Sequence, residues 1–110
     1  MKELKIFYLE SCPYCRKAMD AVQELKTENS DYEKVNIEWI EETIHPEIAD
    51  NYDYYRVPSI FFGEEKLYEC SPRDDYKEIK QQVGNALKIA VGYYGLIEAA
   101  YIIEDQEEKP

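Results

Sequence analysis

The chain has 110 residues and carries 24 Asp and Glu against 13 Lys and Arg, a formal net charge of -11. That length supports one buried core, and the acidic balance speaks against nucleic acid and anionic membranes, both of which ask for a basic surface. Three cysteines are too few for a stapled secreted scaffold, no apolar run approaches a membrane span, and MKELKIFYL lacks a cleavage site, so a soluble, cytoplasmic protein is expected; a monomer is expected as well, though none of these features bears on it.

In chain order, residues 4–9 (LKIFYL) are almost continuously apolar, which suits a strand covered on both faces. Pro13 fits the first turn of a helix, where its missing N–H costs nothing, and Cys15, Ala18, Met19, Val22 and Leu25 recur at helical steps, predicting a helix from about Pro13 to Lys26. After a turn at 29–31, Val35, Ile37 and Trp39 alternate with Asn36 and Glu38 as in a strand. A short helix is expected over Pro46 to Asn51, contributing Ile48 and Ala49. SIFFG and KLYEC then read as the arms of a hairpin turning at Gly63. SPRDD is a helix-start cluster with Ser71 as N-cap, predicting a helix from roughly Pro72 to Ala90.

Strand, helix, strand implies a right-handed parallel crossover, and the Gly63 turn implies an antiparallel pair. The expected fold is α/β: a mixed sheet flanked by helices over residues 1–90, followed by a C-terminal extension at 91–110. In that extension Tyr94, Ile97 and Tyr101 form one stripe and Leu96, Ala100 and Ile103 another, ahead of an acidic tail. The stripes either pack on their own domain or offer a partner surface.

The chemistry centres on Cys12 and Cys15. A sulfur capping the helix that Pro13 opens faces unpaired backbone N–H groups and the positive helix end, and both favour thiolate over thiol. Arg16 and Lys17 add positive charge, whereas Glu10 opposes it. Cys12 is thus the candidate attacking thiol and Cys15, one turn in, the resolving one. The alternatives are an inert buried pair and a metal site. Tetrahedral zinc would have to recruit Cys70 and His45, which are far apart in sequence and show no ligand spacing, so no metal is expected. Cys70 reads as a hairpin-end residue or as a thiol with a redox role, and His45 as a loop residue.

CPYC between a first strand and a first helix, followed by VPSIFF about forty-five residues on, resembles the thioredoxin superfamily and, within it, the glutaredoxins, over residues 3 to about 90. The resemblance implies a thioredoxin fold with a four-stranded sheet, a cis Val57–Pro58 bond facing the cysteines, and pairing of the Val57 main chain with substrate. Tyr14 either packs beside the substrate or is simply exposed at the helix start, and Tyr54 and Tyr55, close to Val57, are candidates to line the substrate groove. The implied activity is reduction of protein or small-molecule disulfides, with no bound cofactor and with glutathione or a thioredoxin-reductase-type system as reductant. Two features depart from the family: Leu9 stands where glutaredoxins usually carry a lysine, and Tyr68 and Glu69 stand near their usual Gly-Gly pair. Ser71, Arg73, Asp74 and Asp75 remain candidates for an anion-binding helix start. The rivals are an arsenate-reductase-related enzyme, which VPSIFF argues against, and a non-catalytic adaptor that is redox-regulated or binds an iron–sulfur cluster.

Overall fold

The computed structural model describes residues 2–107, and the side chains of residues 2–100. Four strands form one sheet in the order β2-β1-β3-β4: β1 is Leu4–Tyr8, β2 Ile37–Glu41, β3 Ser59–Phe62 and β4 Glu65–Glu69. β1 runs parallel to β2 and antiparallel to β3, which pairs antiparallel with β4. Gly63, at φ 61°, makes the hairpin turn in a conformation that side-chain-bearing residues disfavour.

The central strands β1 and β3 are covered on both faces because their side chains alternate. Leu4, Ile6, Ile60 and Phe62 point to a core closed by α1 (Pro13–Glu28) and α3 (Tyr76–Glu107). Phe7 and Phe61 point the other way, into a smaller aromatic cluster with Ile40, Ala49, Tyr52 and Tyr54, roofed by α2 (Pro46–Ala49). Across the first core, Lys80 of α3 bridges Glu24 and Glu28 of α1, and the Tyr76 hydroxyl donates to Glu24.

Several boundaries differ from the sequence expectation. The 29–31 turn is the start of a 3-10 segment, Ser30–Lys34, which Asn29 caps by accepting from the Asp31 N–H at 3.0 Å. β2 therefore begins at Ile37, and Val35 is buried ahead of it. α2 ends at Ala49, short of Asn51.

The largest correction is to α3. Ser71 is not its N-cap, because residues 71–74 fold into a turn. There the Ser71 N–H donates to Asp74 Oδ2 at 2.9 Å, and the Arg73 N–H to Ser71 Oγ at 3.2 Å. Asp75 takes over as cap, accepting from the Glu78 N–H at 2.9 Å, and the helix starts at Tyr76. Nor does α3 stop at Ala90; it continues to Glu107 without a break. Val91, Tyr93 and Tyr94 pack on the first core, whereas Leu96 is 73% exposed. Packing on its own domain thus reaches Tyr94; the side chains of Tyr101 and Ile103, and residues 108–110, lie outside the described ones.

Candidate active site

Cys12 is the N-cap of α1, with extended backbone at φ -83° and ψ 120°, and Pro13 occupies the first helical turn. The cap is made by sulfur: the Cys15 N–H donates to Cys12 Sγ at 3.4 Å. On its other side the Cys12 thiol donates to the Val57 carbonyl at 3.9 Å. Cys12 is half-buried, whereas Cys15 is 1% exposed. Burial pushes the Cys15 thiol up to about 12, and the neighbouring Cys12 sulfur and its charge add to the rise, against a backbone hydrogen bond from Leu9. One thiol meets solvent at a helix start, and the other keeps its proton one turn deeper.

A cleft of about 280 Å³ opens beside this pair, lined by Leu9, Tyr14, Tyr55, Val57, Cys70 and Ser71 among others. Of the expected site residues, Tyr14, Val57 and Ser71 meet here. The Tyr14 hydroxyl reaches across to the Pro72 carbonyl at 2.9 Å, and the Lys17 ammonium sits 5.4 Å from the centre of the Tyr14 ring. Val57–Pro58 is cis. Pro58 itself is fully buried, with its carbonyl accepting from the Cys70 N–H at 3.0 Å, so the residue positions the wall of the cleft without offering its ring to a ligand. Tyr55, 90% exposed, lies at the cleft. Tyr54 instead stacks on Phe7 at 4.9 Å and donates to Glu42 at 2.7 Å, bordering an adjoining groove.

The expected anion-binding helix start is occupied by the chain's own carboxylates. Asp74 accepts from the Ser71 N–H and the Tyr68 hydroxyl, which hold its acid strength above the ordinary, and Asp75 caps α3. Cys70 is 2% exposed, and burial pushes its thiol up. His45 lies at the start of α2 with its ring against Glu47. Among the described residues no three His, Cys, Asp or Glu side chains form a metal-binding group. Two cleft residues, Arg56 and Glu42, were not foreseen. The only sequence signal for Arg56 is its place immediately before Val57-Pro58.

A sheet in this order, with a Cys-x-x-Cys at the first helix start facing a cis-proline loop, defines a thioredoxin-fold thiol protein. The Glutaredoxin family model matches residues 4–67, more than half of the chain, and the chain belongs to the glutaredoxin family. The fold is also similar to that of thioredoxin 1 from the thermophilic eubacterium Thermosipho africanus TCF52B. The TM-score is 0.52 at 16% identity, over 79% of this chain and 96% of that one. No curated protein matches the chain. Glutaredoxins are thiol oxidoreductases that generally act on disulfides with a glutathione reducing system. No helix among the described residues is long and apolar enough to cross a membrane.

Proposed function

We propose that this protein is a dithiol disulfide reductase acting through Cys12 and Cys15. The observation that carries the proposal is the contrast between the two thiols: Cys12 caps α1, partly exposed, with its thiol on the carbonyl of the cleft residue Val57, and Cys15 is buried one turn behind it. The Cys12 thiolate attacks one sulfur of a substrate disulfide; a bond forms between Cys12 and that sulfur, and the other substrate sulfur leaves as thiolate. Capping Cys12 removes the neighbouring charge that helps hold the Cys15 proton. Cys15 then passes that proton to the thiolate released in the first step and attacks Cys12, so that the second substrate sulfur leaves as thiolate and a Cys12–Cys15 disulfide remains. Two electrons pass to the substrate, and a cellular dithiol or thiol reductant returns them. A reducing compartment such as the cytoplasm is the setting in which this cycle runs.

Trapping tests the order of the steps. Cys15→Ser is expected to accumulate mixed disulfides with substrate proteins, and Cys12→Ser to form none. Equal trapping by both variants overturns the assignment.

The reductant is proposed to be a thioredoxin-reductase-type system in preference to glutathione. Glutathione carries a carboxylate at each end: Leu9 supplies no charge where glutaredoxins usually carry a lysine, and at the opposite wall the Ser71 N–H is already taken by Asp74. Losing one cationic contact costs on the order of 1 kcal/mol or more at such a surface, roughly a fivefold to tenfold loss in affinity. NADPH consumption with the two reductase systems side by side on one disulfide is expected to be faster with thioredoxin reductase. Saturation with glutathione and no turnover with thioredoxin reductase reverses the preference.

A further inference from the structure

The loop before Val57 has no regular structure, yet β4 fastens it from beneath. The Lys66 ammonium donates to the Asp53 carbonyl at 3.2 Å and the Tyr55 N–H donates to Glu69 Oε2 at 3.3 Å. A 2.8 Å ion pair between Lys66 and Glu69 closes the clamp. Every contact of this clamp to the loop goes to main chain, so the side chains of Tyr55 and Arg56 are left to face outward. Tyr55 is 90% exposed, Arg56 is exposed, and none of the ion pairs among the described residues involves Arg56. Both residues line the cleft next to Val57, whose carbonyl accepts from the Cys12 thiol.

Tyrosine and arginine dominate recognition sites, and holding them on a fastened loop lowers the entropy lost when a partner binds. Charge gives the direction of that recognition. The chain is acidic as a whole, but Arg56 stands on one wall of the cleft, Lys17 over Tyr14 on another, and Arg16 in the first turn of α1. The nearby carboxylates have donors of their own: Glu42 accepts from Tyr54, and Asp74 from Tyr68 and Ser71. We propose that Arg56 is a specificity-determining residue that binds an acidic side chain beside the reacting cysteine of an extended protein segment lying against Val57. This rests on the disulfide exchange proposed above.

The test uses three disulfide-linked peptides that differ only in a Glu, Gln or Lys next to the cysteine, turned over by the full chain and by Arg56→Gln and Arg56→Glu. For an exposed charge pair the unmodified protein is expected to favour the Glu peptide over the Lys peptide by about 3–10-fold in kcat/KM, through KM, with the preference fading at high salt. Arg56→Gln is expected to level the series and Arg56→Glu to invert it, and a merely damaged loop cannot produce that inversion. Equal kcat/KM for all three peptides, or a Glu preference that survives in Arg56→Gln, overturns the assignment of Arg56 and leaves the disulfide exchange standing. No turnover of any peptide by the unmodified protein overturns the exchange itself, and this inference with it.

Discussion

Burial keeps the proton on Cys15 while Cys12, one turn earlier, meets solvent, and this difference has a consequence for stability that can be measured. The folded chain holds the Cys15 proton more tightly than an unfolded chain does, about 12 against an ordinary 9.0. The stability so contributed is fully present below pH 9 and is lost as the pH rises toward 12. Cys70, Tyr54 and Tyr68 are also pushed up by burial and act in the same direction, so the share of Cys15 has to be read by difference. With reductant present, the denaturation midpoint of the unmodified protein is expected to fall more steeply across this alkaline range than that of Cys15→Ser; parallel falls overturn the assignment. The helix-start position of Cys12 and the place of Cys15 one turn in were legible in the residues themselves, because Pro13 and the helical spacing set them locally, whereas the cis bond at Val57 and its facing toward Cys12 came only through the family resemblance. Arg56 and Glu42 were not legible, since no periodicity says which side chains of an irregular loop turn toward a cleft.

At the scale of elements, the order of strands and helices was readable because each strand is a short apolar run and each turn has its own residues. The start of α3 was misread for a definite reason. Ser71-Pro72 has the composition of a helix start, but Asp-x-x-Glu at 75–78 is an equally good signature. Tertiary contacts decide between them: Tyr68 of β4 reaches Asp74 and ties residues 71–74 into a turn before the helix can begin. Glu69, the next residue of β4, fastens the opposite wall through the Tyr55 N–H. Alternation along a strand sends the two side chains to opposite faces. The pair that stands near the family's usual glycines therefore braces both walls of the cleft, an effect that appears only once the strand is placed between them.

For the molecule as a whole, the feature without an evident tertiary role is the far end of α3. Its inward stripe is continuous from Ile79 through Val83, Ala86, Leu87 and Ala90, each 2% exposed or less. Tyr93 and Tyr94 extend the stripe by packing on Phe62, with ring centres 5.1 and 6.5 Å away. Beyond them nothing lies within 4 Å of where a Cβ would stand on Gly95, and Leu96 and Ile97 are 73% and 38% exposed. Short helices without tertiary packing are marginal in water, so residues past Gly95 contribute little to folding if the protein is monomeric. Ending the chain after Gly95, or replacing Leu96 with Ala, is accordingly expected to change unfolding free energy by no more than about 0.5 kcal/mol, the usual range for surface changes. Leu87→Ala, which empties a fully buried position, is expected to cost about 2–5 kcal/mol. Denaturant unfolding of the three variants at two protein concentrations checks both expectations. A loss on truncation comparable to that of Leu87→Ala and dependent on concentration means that the overhanging helix is buried against a second copy in solution, which overturns the monomer.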